Sequence, residues 1–82
     1  MKATHILVVQ SGWVFVGTMK RNESLVTLSD AACIRKWGTS HGLGELALSG
    51  PLEETELDPC GTVEVPLRAV LFWIPVKPEK WS

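Results

Sequence analysis

The apolar residues of this chain fall into short runs, so the fold must be built from short elements. Each run is rich in β-branched and aromatic residues and is bounded by glycine, proline or polar residues. Such runs are typical of β-strands. None reaches the roughly 18 residues that a membrane-spanning helix needs, and we expect no contact with a membrane. Because the chain has only 82 residues, we expect residues 1–82 to form a single small β-barrel domain.

Five of these runs predict strands, at residues 5–10, 13–19, 25–37, 62–65 and 68–75. Ser11 and Gly12 separate the first two runs and have the composition of a two-residue hairpin turn. Gly17 indicates a bend or a close approach of two backbones inside the second strand. Residues 31–37 permit either a continued strand or a helix capped by Asp30. We favour the strand, with Asp30 at a bulge, because cysteine, isoleucine and tryptophan are poorer helix formers.

One short helix is predicted after the third strand. Leu43, Leu46 and Ala47 have the i, i+3, i+4 spacing of a single apolar stripe on a helix. The Gly-Pro pair at residues 50–51 is typical of a helix end. Further on, residues 58–61 are Asp-Pro-Cys-Gly, the composition of a type I turn. We therefore expect an acidic surface loop that leads through this turn into the fourth strand.

Two segments of the chain resemble the two halves of an Sm-like motif. They are residues 15–17, Arg21 and residues 25–31 for the first half, and residues 65–74 for the second. The resemblance implies a mainly β fold, a small five-stranded SH3/Sm-like barrel with the short helix inserted between the third and fourth strands. It also implies a ring of subunits that binds single-stranded RNA or DNA. Residues 22–25 depart from the RNA-reading loop of that family, so nucleic acid is not the favoured ligand.

A second resemblance covers about half of the chain. It is carried by residues 34–39, 42–47, 50–51, Thr55, 57–59, 66–70 and 80–81. These residues resemble a family of small uncharacterised bacteriophage and prophage proteins. The resemblance implies that the protein acts inside a bacterium, and it assigns no activity. Since Gln10 interrupts the N-terminal apolar run, a cleaved signal is not indicated, and we expect the cytoplasm of the bacterial host.

The net charge of −1 is unevenly distributed. Residues 1–44 hold five basic and two acidic side chains, whereas residues 45–64 hold six acidic and no basic ones. The chain therefore lacks the overall basicity that is typical of nucleic-acid-binding proteins. The division instead favours contacts between a basic and an acidic face, within one subunit or between two.

No arrangement of residues predicts catalysis. Cys33 or Cys60 with His41 would need a third group to orient the histidine, and none is evident. Glu53 and Glu54 lie in a predicted surface loop, with nothing apolar nearby to make one an acid and the other a base. Neither cysteine has the spacing of a metal site. We therefore expect a non-enzymatic protein without cofactor, metal or catalytic residues, and with both thiols reduced.

The strongest candidate for ligand binding is the glycine-rich segment at residues 35–44, where two cations lead into the helix. Free N–H groups at such a turn favour an anion, such as a phosphate. The predicted ligand-binding residues are Arg35, Lys36, Trp37, Thr39, Ser40, His41, Gly42 and Arg68. In this interpretation Trp37 stacks on a base. The alternative is a purely structural turn, in which Thr39 or Ser40 caps the helix, Trp37 is core and Arg68 pairs with a glutamate.

Four tryptophans are many for so short a chain. Because several would crowd one small interior, we expect one or more of Trp13, Trp73 and Trp81 at a subunit interface or binding surface; the alternative is partial burial. Residues 6–9 and 70–74 are apolar on both faces of their strands. A domain of this size also buries only about 60% of its unfolded surface. We therefore expect a homo-oligomer.

Two functions fit these observations. The first is a phage-encoded binding protein that engages a host protein or captures a phosphate-bearing small molecule, such as a nucleotide signal, to counter a host defence. The second is an Sm-like oligomeric protein that binds single-stranded RNA or DNA. Affinity for single-stranded RNA that falls steeply with salt would favour the second.

Overall fold

The computed structural model describes residues 2–81; Met1 and Ser82, the ends of the predicted domain, lie outside the described residues. In chain order the elements are β1 (His5–Val9), β2 (Val14–Arg21), β3 (Leu25–Lys36), α1 (Leu43–Ser49), β4 (Glu56–Pro66) and β5 (Val70–Pro75). Short 3₁₀ turns occupy Gln10–Gly12, Leu67–Ala69 and Pro78–Lys80. The predicted mainly β class with five strands is confirmed. Of the helices within residues 2–81, none has the length and apolarity to cross a membrane.

The five strands form one antiparallel sheet in the order β4-β3-β2-β1-β5. Strands β4 and β5 are its two edges, and they form no ladder with each other in the part of the chain that the structure describes. The sheet is therefore open, and its closure into a barrel stays a prediction.

The connection between β1 and β2 is a tight hairpin, with a loop one residue longer than predicted. Ser11 and Gly12 both have positive φ angles, of 69° and 83°. The Val9 N–H donates to the Trp13 carbonyl oxygen at 3.0 Å and closes the hairpin. Glycine adopts this backbone readily, whereas a positive φ is uncommon for a residue such as serine. The predicted hairpin is confirmed, but its two-residue loop is wrong: Val9 lies opposite Trp13, so the loop has three residues, Gln10–Gly12.

Strand β3 bends at Asp30, as predicted. Asp30 has a φ angle of 49°, and the pairing of β3 with β4 shifts between Leu28 and Ala31. The extra residue keeps Leu28 and Ala31 on one face, although they are three positions apart. Gly17 of β2 lies against this bend: a Cβ atom there would be 3.0 Å from the Ser29 carbonyl oxygen. A side chain at position 17 would force the two strands a few tenths of an ångström apart, so glycine favours this close approach.

Both faces of the sheet are covered by the chain itself. One core cluster lies under α1 and the C-terminal residues, and includes Ile6, Val16 and Leu46. The other lies on the opposite face, where the bent half of β3 and the end of β4 fold over Leu7. Because Ile6 and Leu7 are both fully buried within one chain, the two-faced apolarity of β1 needs no second subunit.

The C-terminal residues fasten α1 to the sheet. Trp81 is only 2% exposed, and its indole N–H donates to the Leu46 carbonyl oxygen at 2.9 Å. The Lys77 N–H donates to the Ala47 carbonyl oxygen at 2.9 Å, and the Val76 N–H donates to the Thr4 carbonyl oxygen at 2.9 Å. Trp81 was one of three candidates for a surface position, and it is instead part of the core.

The type I turn predicted at residues 58–61 is wrong. Strand β4 runs through this segment, with Asp58 opposite Cys33 and Pro59 opposite Ala32. The pairing slips by one residue before Gly61, which has a φ angle of 72°. Proline and a glycine bulge are compatible with an edge strand, since the outer side needs no ladder. Pairing with the long β3 therefore overrides the local turn composition.

Candidate binding groove

The eight predicted ligand-binding residues do not form one site. Arg35 and Lys36 end β3, and residues 37–42 connect it to α1. Arg68 lies in the 3₁₀ turn between β4 and β5. Because Leu25 pairs with Pro66 while Lys36 pairs with Glu56, Arg35 and Arg68 lie near opposite ends of the β3–β4 ladder.

Three backbone donors of the glycine-rich turn already have partners. The Ser40 and His41 N–H groups both donate to Oε1 of Glu45 at 3.0 Å. The Gly42 N–H donates to Oγ1 of Thr39 at 3.0 Å, and Gly42 rather than Thr39 or Ser40 is the N-cap residue. The Glu45 carboxylate thus occupies the part of the predicted anion site that the Ser40 and His41 N–H groups would form. A phosphate would have to displace it, which favours the structural interpretation of this turn.

Two further predicted residues of this segment face solvent. Trp37 is exposed, which places it outside the core, and its carbonyl oxygen accepts a hydrogen bond from Oγ1 of Thr55 at 2.7 Å. Lys36 is exposed on the last pair of the ladder. Stacking of Trp37 on a base stays a prediction.

Arg35 is held by two carboxylates. Its Nη2 atom lies 2.8 Å from Oε1 of Glu56, and its Nε atom donates to Oδ2 of Asp58 at 2.8 Å. All three side chains are substantially exposed, so these pairs add little to the stability of the fold. Their effect is to fix the guanidinium and to give the three side chains together a net charge of −1. Both partners belong to the acidic segment at residues 45–64, which the sequence shows. Because they lie more than twenty positions after Arg35, spacing along the chain does not predict the ion pairs.

Trp13 stands on the surface in a fixed orientation. Its side chain is 57% exposed, and its ring stacks on Phe15 with the centroids 6.2 Å apart and the planes within 8° of parallel. Phe15 in turn packs against the core cluster that contains Leu7. Anchored through Phe15, Trp13 presents the other face of its ring to solvent. Among the three candidate tryptophans, Trp13 is the one that meets the expectation of a surface position.

Trp13 and Arg35 line one groove at the end of the sheet, which we name the Trp13 groove. Its volume is about 470 Å³. It is lined by Gly12, Trp13, Val14, Cys33, Ile34, Arg35 and Asp58. The groove offers an aromatic wall, an apolar floor and a fixed ion pair, a combination that suits an extended segment with both apolar and polar groups.

Cys33 in this groove is a neutral thiol at neutral pH. Burial raises the pKa of Cys33, and the nearby Cys60 and Asp58 raise it further. A protonated thiol is a weak nucleophile, so Cys33 reacts slowly at neutral pH and contributes contact surface to the groove. Within residues 2–81, no three histidine, cysteine or acidic side chains are grouped so that they could hold a metal ion.

A second charged region surrounds Arg68. The Leu67 N–H donates to the Ser24 carbonyl oxygen at 2.9 Å and joins the β4–β5 turn to the β2–β3 hairpin. Arg68 lines a groove of about 360 Å³ with Glu23, Ser24 and Leu67. On the same hairpin, the Arg21 guanidinium lies 5.0 Å above the centre of the Trp73 ring, within the range of a cation–π contact.

Family models, curated proteins and solved structures contain no significant match to this chain. The resemblances to Sm-like and to phage proteins therefore stay predictions, and the function has to be argued from the grooves themselves.

Proposed function

We propose that this chain is a non-enzymatic, phage-encoded binding protein that engages a host protein through the Trp13 groove. The observation that carries the proposal is the Trp13 ring, which is large, exposed and fixed against Phe15 beside an ion-paired arginine. Tryptophan and arginine are the side chains most enriched at the energetic centres of protein interfaces. Because the ring is already oriented, binding costs little side-chain entropy.

The charges in the groove favour a protein partner over a phosphate-bearing molecule. Glu56 and Asp58 together outweigh the charge of Arg35, so a phosphate would meet net repulsion. Three N–H donors of the nearby turn, at residues 40–42, are also occupied by Glu45 and Thr39. A protein segment that is apolar with neutral or basic side chains fits this surface better.

The test is capture of a host protein by matched variants. Wild type, Trp13→Ala and Leu48→Ala are immobilised and exposed to an extract of the bacterial host. Leu48 is the control, since it is 60% exposed on α1 and lies outside the groove. A tryptophan at an energetic centre contributes about 2 kcal/mol, so Trp13→Ala should weaken the captured protein about 30-fold. Retention of the same proteins by all three variants would refute the proposal.

Phosphate capture, the alternative within this function, has its own test. Calorimetry of nucleotides against wild type and Arg35→Ala distinguishes a ligand contact from a structural one. A charged hydrogen bond contributes roughly 1.5–3 kcal/mol, so a true ligand should bind Arg35→Ala about 10- to 100-fold more weakly. Equal affinities, or no binding at all, would leave the protein partner as the remaining candidate.

The predicted homo-oligomer and the SH3/Sm-like barrel belong to the same proposal. Leu71 and Phe72 are exposed on the edge strand β5, beside a groove of about 330 Å³. An exposed apolar edge is a template for pairing with a strand of another copy of the chain. Light scattering of wild type and Leu71→Lys should give an oligomer and a monomer, respectively. A wild-type monomer at tens of micromolar would contradict the assembly without touching the binding proposal.

Binding of single-stranded nucleic acid is a second candidate, supported by the region around Arg68. Within residues 2–81, no salt bridge involves Lys20, Arg21 or Arg68, so these three side chains keep their charges for a ligand. Affinity for single-stranded RNA should then fall steeply with salt, and Arg68→Ala should make the dependence shallower. A salt-independent or undetectable affinity would reject this candidate.

A further inference from the structure

The pairing of β3 with β4 brings the two cysteines onto adjacent positions of neighbouring strands. Cys33 pairs directly with Asp58, and the next pairs are Ala32 with Pro59 and Ala31 with Gly61. Cys60 is therefore the extra residue of a bulge, between Pro59 and Gly61. It lies two residues along β4 from the direct partner of Cys33.

The bulge shortens the separation between the cysteines. In a regular antiparallel ladder, such diagonal neighbours lie about 7–8 Å apart between Cα atoms, slightly beyond the roughly 4.4–6.8 Å of a disulfide. Here two residues of β4 advance the ladder by only one residue of β3, so Cys60 is drawn back toward Cys33. Gly61 provides freedom for the small remaining adjustment, because glycine has the widest range of backbone conformations.

The two thiols differ in solvent exposure, and this difference sets the order in which they react with an oxidant. Cys60 is exposed and meets a reagent first, whereas Cys33 is partly buried at the floor of the Trp13 groove. The pKa of Cys33 is raised by burial and by the closeness of Cys60, so Cys33 is the slower thiol and reacts second. This order suits an initiating and a resolving cysteine.

We propose that Cys33 and Cys60 form a reversible disulfide across β3 and β4 when the protein meets a small disulfide such as oxidised glutathione. The Cys60 thiolate attacks one glutathione sulfur, which forms a mixed disulfide and releases one glutathione thiolate. The Cys33 thiolate then attacks the sulfur of Cys60 and releases the second. Two protein thiols are thus oxidised, and one glutathione disulfide is reduced to two glutathione thiols, which take up the two protons that the protein thiols lose. The new bond fixes the β3–β4 side of the Trp13 groove, and it does not depend on which partner that groove binds.

The test is the mass of the intact protein after reduced wild type is treated with oxidised glutathione. The expected product is a monomeric chain that has lost two hydrogens, retains no glutathione and recovers its mass with dithiothreitol. Cys33→Ser should instead retain one glutathione on Cys60, since the resolving thiol is missing. Wild type that retains glutathione, or that forms disulfide-linked dimers, would overturn the proposal.

A second measurement separates the native geometry from chance closure. At a fixed ratio of reduced to oxidised glutathione, the closed fraction is measured in buffer and in a urea concentration that unfolds the chain. If the ladder positions the two thiols, the equilibrium constant for closure should be about tenfold or more higher in the folded protein. An equal or lower constant in buffer would show that the fold does not favour the bond, and would also overturn the proposal.

Discussion

Trp81 and Trp13 have opposite environments in this fold, since one is buried and the other is exposed. Trp81 is 2% exposed, packs between α1 and the sheet, and has its one polar atom hydrogen-bonded to Leu46. Trp13 lies on the surface, and its ring is supported by Phe15 on one side only. A buried tryptophan with a satisfied N–H stabilises the fold, whereas an exposed one does little for it. The difference indicates that Trp81 stabilises the fold, whereas the exposed ring of Trp13 is free to take the binding role proposed for it.

The largest effect is expected from removing the buried ring. Trp81→Ala deletes a large core side chain and leaves a cavity between α1 and the sheet, so the free energy of unfolding should fall by about 3–5 kcal/mol. Urea denaturation followed by circular dichroism measures it. Trp81→Phe is the control that keeps most of the packing and loses the hydrogen bond. Its free energy of unfolding should lie between those of wild type and Trp81→Ala. A loss below about 1 kcal/mol for Trp81→Ala would remove the distinction between the two tryptophans.

A smaller effect is expected at the glycine that receives the C-terminal residues. Gly50 has a φ angle of 81°, and a Cβ atom there would run into the Lys80 carbonyl oxygen. Gly50→Ala should therefore cost about 1–3 kcal/mol, through strain and displacement of the segment that carries Trp81. Gly42→Ala is the matched control, because Gly42 has a similar φ of 85° but open space around it. If both variants lose the same free energy of unfolding in urea denaturation, Gly50 is not required for the packing of residues 76–81 against it.

Removal of the exposed ring should barely change the fold. Trp13→Ala loses one stacking contact on the surface, so its free energy of unfolding should stay within about 0.5 kcal/mol of wild type. The same urea titrations measure it beside Trp81→Ala. A loss of several kcal/mol would mean that Trp13 also stabilises the fold, which would contradict the difference drawn between Trp13 and Trp81.

The smallest effect is the pH dependence of stability that arises from His5, the first residue of β1. Burial lowers the pKa of His5 below its ordinary value of 6.5, so the folded state favours neutral imidazole. The unfolded chain therefore binds the proton first, and the fold is fully stable above about pH 6.5 and weakens as the pH falls below it. The decrease should be small, since His5 is only partly buried. Unfolding free energies from pH 8 to 5 should show it in wild type and show less of it in His5→Gln.

Local patterns predicted much of the fold. The hairpin at Ser11 and Gly12, the bulge at Asp30 and the apolar stripe of α1 each depend on a few adjacent residues, whose conformational preferences decide the outcome. Residues 58–61 show the limit of such patterns. Their turn composition is overridden by pairing with β3, a contact between residues more than twenty positions apart. Burial of Trp81 under Leu46 is of the same long-range kind.

The candidate site was predicted in part for the same reason. The sequence identifies Arg35 as a cation beside a glycine-rich turn. It identifies Trp13 as one of four tryptophans, too many for one small core. Asp58 and Glu56 are far from Arg35 in the chain, so their ion pairs with it follow from strand pairing and not from spacing. Without those pairs the sequence favours an anion at Arg35. With them the charge at that position is reversed, and a protein partner becomes the better proposal.

The most direct test of the Trp13 groove is photo-crosslinking in cells of the bacterial host. A photoreactive phenylalanine analogue replaces Trp13 in one variant and Leu48 in a matched control, and crosslinked products are resolved by size and mass spectrometry. The proposal predicts a discrete adduct with a host protein at position 13, abolished by an excess of untagged wild type and absent at position 48. No adduct with a host protein at position 13, or the same adducts at both positions, would contradict a binding function for this groove.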